Sequence, residues 1–144
     1  MLSFLVPRRD FEVIQRGDTL IQSGRSIERY DPLVRALTSL SPSAVAKLYA
    51  TVRPLAQARL AEISAPGHSL DPVVRAALDR LAETPVPSSE PALVPKGAGY
   101  AFADPALEAL SAPQKNLLRM GVSHARAVQA WLGAVSKALP LNPT

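Results

Sequence analysis

Residues 100–135 read YAFADPALEALSAPQKNLLRMGVSHARAVQAWLGAV, and their punctuation is that of packed helices. Asp104-Pro105 pairs a capping carboxylate with a proline at the next position. The carboxylate accepts an orphan N–H of the first turn, and proline has none to lose there. Leu107 and Leu110 then turn inward. Ser111-Ala112-Pro113-Gln114 has the form of a capping box, in which Gln114 bonds back to Ser111. The helix runs through Leu117, Leu118 and Met120 and stops at Gly121, a natural left-handed stop residue. Ser123 is expected to cap the next helix, whose stripe is Ala125, Val128, Leu132, Val135 and Leu139, spaced three and four apart. Trp131 borders that stripe. Tyr100, Asp104, Pro105, Ser111, Gln114 and Gly121 therefore read as structural.

The same grammar extends backwards. Asp31-Pro32, Ser41-Pro42 and Asp71-Pro72 repeat the cap–proline pair. From Ser41 the apolar positions Val45, Leu48, Tyr49, Val52, Leu55, Ala56, Leu60 and Ile63 define one long helical stripe. Pro54 lies inside it and is expected to kink the helix or remove a backbone bond near Ala50. A further stripe, Val74, Ala77, Leu78 and Leu81, stops before Pro85. Residues 11–22, FEVIQRGDTLIQ, read as a hairpin around Gly17-Asp18. Arg16-Gly17-Asp18 also spells an adhesion tripeptide, a triplet that arises often by chance. Residues 85–99, PVPSSEPALVPKGAG, read as an extended connector with four prolines and no P-x-x-P spacing. Gly97-x-Gly99 lacks the third glycine of a nucleotide loop.

The fold class expected is mainly α, a bundle of five helices with a small N-terminal β-hairpin and an extended proline-rich connector. The helices are placed near 32–40, 42–64, 72–84, 105–120 (broken near Ser111) and 124–138. One domain, 1–144, divides into a hairpin and lead-in (1–30), helices (31–84), connector (85–99) and C-terminal helices (100–139).

The chain has 144 residues, enough for one real core, and only 5% aromatics, so that core is mostly Leu, Val and Ala. No cysteine is present, which excludes disulfides, zinc–thiolate sites and thiol nucleophiles. The net charge of +4 is uneven: residues 1–60 carry nine basic and five acidic groups, 61–110 three and seven, 111–144 four and none. No apolar run approaches the ~20 residues of a membrane span. MLSFLV is short and precedes Pro7-Arg8-Arg9, the reverse of an export signal's order.

ERYDPLVRAL, AVAKLYATVRPLAQ, VVRAALDRLAETP and above all YAFADPALEALSAPQKNLLRMG resemble the bacterial domain-of-unknown-function family 3014. The resemblance runs from about Phe11 to Leu139. It implies a helical envelope protein, usually anchored by one N-terminal transmembrane helix, with no assigned activity. On that basis the periplasmic side of an envelope is the expected location, with the cytoplasm as the alternative because this sequence shows no signal or membrane segment.

Catalytic chemistry finds little support. His68 and His124 lie far apart in sequence, whereas a zinc site takes about three or four ligands. Ser123-His124 has no evident orienting carboxylate, and the Asp79–Glu83 pair reads as a solvated face. No catalytic, cofactor or metal-binding residue is assigned, and the chain is not expected to be an enzyme. The function expected is a non-catalytic interaction or scaffold domain with a protein partner. Lys115, Arg119 and Arg126, in the acid-free C-terminal stretch, are the candidate docking residues. The alternative is a helix-turn-helix-like nucleic-acid binder using residues 112–138, where His124, Arg126 and Gln129 would face the bases.

Overall fold

The computed structural model describes residues 10–65 and 67–141, so the readings of Met1 to Arg9 lie outside it. The described chain runs β1 (Val13–Arg16), β2 (Thr19–Gln22), α1 (Gly24–Glu28), α2 (Asp31–Ser39), α3 (Pro42–Ile63), α4 (Leu70–Ala82), β3 (Leu93–Lys96), β4 (Gly99–Phe102), α5 (Pro105–Glu108), α6 (Ala112–Leu118) and α7 (Val122–Ala138). It is mainly helical, as expected, with one antiparallel sheet in the order β1-β2-β3-β4.

The first hairpin forms around Gly17-Asp18, and only the glycine takes a positive φ, 59°. The second hairpin is a correction to the sequence reading. Residues 93–99 were expected to belong to an extended connector outside any sheet, yet Leu93–Lys96 pairs with Gly99–Phe102 around Gly97, whose φ is 61°. Pro95 hid the strand, because proline has no N–H for a ladder. It is tolerated here because β2 meets β3 only at Leu20↔Leu93, so Pro95 lies past the paired stretch.

The two hairpins are copies. Adding 80 to the numbers of β1 and β2 gives β3 and β4. The burial pattern of β2, recurring in β4, is the same at all four positions. After each second strand the chain turns alike: Ser23 N–H donates to Glu12 O at 2.9 Å, and Ala103 N–H to Ala92 O at 2.9 Å. A short helix follows, capped by Ser23 in the first copy and by Asp104 in the second. α2 and α6 begin 81 residues apart, and α3 and α7 begin 80 apart. The protein is thus a tandem repeat of a β-β-α-α-α unit, with α4 and the proline-rich segment between the copies. Its sequence trace is faint but real: Val6-Pro7-x-x-Asp10 answers Val86-Pro87-x-x-Glu90.

Several helix starts differ from expectation. Among the described residues there are seven helices instead of five, since α1 was not foreseen and 105–120 divides into α5 and α6. Ser41 and Asp104 cap as read, accepting Ala44 N–H at 3.2 Å and Ala106 N–H at 2.8 Å. Gln114 Oε1 accepts the Ser111 N–H at 3.2 Å and its hydroxyl at 2.8 Å, within a capping box. Asp31 is instead the first residue of α2, after Tyr30. Asp71 lies inside the first turn of α4, which starts at Leu70 after Ser69. α7 begins one residue before Ser123, on Gly121. That glycine has φ 94° and ψ 151°, positive as expected but outside the left-handed helical region. With no side chain to cap α7, the Glu90 carboxylate accepts the Val122 N–H at 2.8 Å.

Two apolar pools hold the elements together. One is helical, built on Val34, Leu117, Ala125, Val128 and Leu132; the other joins Leu93 and Phe102 of the sheet to Leu107 and Leu118. Val86, from the connector, packs against both. α7 is the hub, packing against α2, α3, α4 and α6.

Candidate functional site: an uncovered face of the third helix

The three basic candidates serve the fold. Lys115 Nζ lies 3.3 Å from Glu108 Oε1, and Lys96 Nζ reaches the same oxygen at 3.1 Å. Lys115 therefore has an acidic partner that the sequence reading did not supply, because α5 turns Glu108 back toward α6. Glu108 also accepts the Phe102 N–H at 3.2 Å. The Lys96 hydrogen bond first, then that of Phe102 and the charge of Lys115, hold its carboxyl down at about 2. Arg119 lies 5.8 Å from the Phe102 ring centroid and donates to Tyr100 O at 3.2 Å. It also lines a cleft of about 340 Å³ with Phe11, Arg29, Tyr30, Tyr100 and Asn116. Arg126 donates to Pro87 O at 2.9 Å. The three cations are directed to α5, the sheet and the connector respectively.

The residues of the helix-turn-helix alternative are likewise engaged. His124 Nδ1 lies 2.9 Å from Met120 O, and Nε2 lies 2.9 Å from Asp31 Oδ1, so neither ring nitrogen serves Ser123. Gln129 Nε2 donates to the carbonyls of Leu81, Ala82 and Thr84 at 3.1, 3.1 and 2.9 Å. His68 Nδ1 lies 2.8 Å from Ala65 O. Among the described residues no group of three or more His, Asp or Glu is placed to hold a metal.

The feature without a role in the fold is on α3. Its long stripe was expected to face the core, but no residue of α3 is buried. Tyr49, Arg53 and Gln57 recur every four residues and so form one ridge. The Tyr49 hydroxyl donates to Asp71 Oδ1 at 2.6 Å, and Arg53 pairs with Asp71 Oδ2. Gln57 donates to His68 O at 2.9 Å and accepts the Leu70 N–H at 2.7 Å. Asp71 is only 1% exposed. Burial first, and the bond to Asp71 second, push the Tyr49 phenol up to about 12. A buried carboxylate left unpaired costs several kcal/mol, so this polar ridge fixes which side of α3 faces α4.

The adjoining side is left in water. Leu48 is 63% exposed, Val52 43%, Leu55 65% and Ile63 84%. The repeat gives this stripe its meaning. Eighty residues on, Leu48, Val52 and Leu55 become Val128, Leu132 and Val135, which are 6%, 9% and 3% exposed. The face that α7 buries against the rest of the protein is the face that α3 leaves uncovered. Sequence periodicity found these residues but could not tell which copy was covered.

The model of a family described as proteins of unknown function matches residues 1–136. The chain belongs to the DUF3014 family. No curated protein and no solved structure matches it. The DUF3014 match spans both repeat units and α4, so the uncovered face of α3 and the buried face of α7 both lie within the family's own region. No helix among the described residues is long and apolar enough to cross a membrane.

Proposed function

We propose that this DUF3014 protein is a non-catalytic interaction or scaffold domain of a bacterial envelope-associated protein, and that it docks through α3. The envelope setting rests on the resemblance to usually membrane-anchored proteins. The observation that carries the docking reading is the apolar stripe Leu48, Val52 and Leu55, between 43% and 65% exposed on a helix fixed by the ion pair of Arg53 with the buried Asp71. Contiguous exposed apolar side chains mark interaction surfaces. A stripe of this spacing suits a helix-on-helix contact. The nucleic-acid alternative loses support on the same grounds, since a recognition helix must be free to enter a groove. α7 is instead the packed centre, with His124, Arg126 and Gln129 engaged within the chain.

The test is a photo-crosslinking residue at position 55 of the protein in its native host, with position 35 on exposed Arg35 as the control. A protein adduct from position 55 alone, abolished by Leu48→Glu, is the expected result. No adduct above the control would sink the docking reading. Retarded random duplex DNA, with a steep salt dependence, would restore the alternative.

A further inference from the structure

We infer that the occupant of the α3 face is a second copy of this chain, packed as an antiparallel pair of α3 helices about a two-fold axis. This rests on the docking reading and names its partner. Two observations favour a second copy.

The first is that this helix type already packs on its own kind. α3 and α7 are the same element of the repeat, and they pack against each other within the chain. A neighbouring copy offers another α3, whose apolar stripe Leu48-Val52-Leu55 matches in spacing the one α7 buries. A two-fold contact requires only that one patch complement itself.

The second is charge. Lys47 stands at one end of the stripe and Glu62 near the other, 15 residues or about 22 Å apart along the helix. In the register that sets Leu48 of each copy against the exposed Ile63 of the other, antiparallel packing also brings Lys47 toward Glu62, whereas parallel packing places like charges side by side. Glu62 is held 2.9 Å from Arg59 but keeps a side chain 59% exposed, so its carboxylate stays accessible. Rim charges of this kind set register and orientation more than affinity. A single helix pair falls at the small end of specific interfaces, below about 1,200 Å². The association is therefore weak and concentration dependent.

Sedimentation equilibrium of the 144-residue protein between about 5 and 500 μM, the range suited to a small interface, tests the inference. The mass is expected to rise from 15.3 kDa toward twice that value. Leu48→Glu with Leu55→Glu is expected to hold the monomer mass throughout, with an unchanged circular dichroism spectrum because both side chains already face water. Lys47→Glu alone should weaken the dimer, and Lys47→Glu with Glu62→Lys should restore it. A wild-type monomer at every concentration overturns the inference, as does a dimer that survives the double leucine substitution. Failure of the charge swap to restore association overturns the antiparallel arrangement. The docking reading fails separately, on the absence of any adduct from position 55. An adduct of mass other than the doubled chain, with a monomeric wild type, keeps docking and removes the second copy.

Discussion

Gly121 shows how much a single residue can carry in this fold. Its φ of 94° with ψ of 151° lies where L residues are rarely found, and a Cβ there would stand 2.7 Å from Ile27 Cγ2. Gly121→Ala therefore meets two penalties, backbone strain of about 1–3 kcal/mol and a contact with α1. For a chain of this size the melting temperature should fall by roughly 2–10 °C. Ile27→Ala in the same background should recover only the contact part, so a double-mutant cycle measured by thermal unfolding separates the two; full recovery would refute the backbone argument. The sequence marked Gly121 as a stop, and the positive φ agrees. It could not show Ile27, which arrives from 94 residues upstream. Glu108 makes a different point. Its carboxyl sits at about 2 in the fold against an ordinary 4.5, so its contribution to stability is complete above about 4.5 and fades as pH falls toward 2. Glu108→Gln should destabilise at pH 7, and the difference from wild type should shrink through that window. A difference constant from pH 7 to 2.5, followed by urea unfolding, would remove the Lys96–Glu108–Lys115 cluster from the account.

At the scale of elements, the cap–proline signals located helices well and located their first residues less well. Ser41 and Asp104 cap because each is itself extended, with ψ of 137° and 116°, so that its side chain can reach back to the first turn. Asp31 and Asp71 do not, because each was drawn into the helix, Asp71 to meet Arg53 and Tyr49. Local chemistry writes the start signal, and a tertiary partner can override it. The same override explains α3. Its apolar period was legible, but the ridge Tyr49-Arg53-Gln57 lies beside that stripe and had no visible partner until α4 was in place. The matched helices turn this into a measurement. Leu132→Ala empties a site 9% exposed and should cost about 2–5 kcal/mol. Val52→Ala, at the corresponding position of α3, is 43% exposed and should stay within about 0.5 kcal/mol. Both belong in dilute protein, where any association through α3 is absent. Equal losses on chemical denaturation would mean that α3 is covered within the monomer.

At the scale of the whole molecule, the repeat raises the question whether the two units fold separately. Their internal likeness, hairpin for hairpin at a spacing of 80 residues, would allow it, and repeat proteins often lose cooperativity between units. The contacts argue otherwise. The sheet is continuous from β2 to β3, though only through Leu20↔Leu93. α7 of the second unit shares its apolar pool with the first, where Val34 of α2 joins Leu117 of α6. Trp131 Nε1 donates to Leu40 O at 2.9 Å, and Gln22 Nε2 to Arg119 O at 2.8 Å, each bond crossing between units. α3, by contrast, buries nothing of its own, so the first unit has no helical core without α7. The duplication was hard to read from sequence because matched positions often hold unlike residues: Gln22 answers Phe102 although both are buried, and Arg59 answers Leu139. A single cooperative transition is therefore expected, with a calorimetric enthalpy on the order of 100 kcal/mol near 60 °C equal to the van't Hoff value. Independent units would instead give a van't Hoff enthalpy of roughly half the calorimetric one, and that ratio in differential scanning calorimetry would overturn the dependence of the first unit on α7.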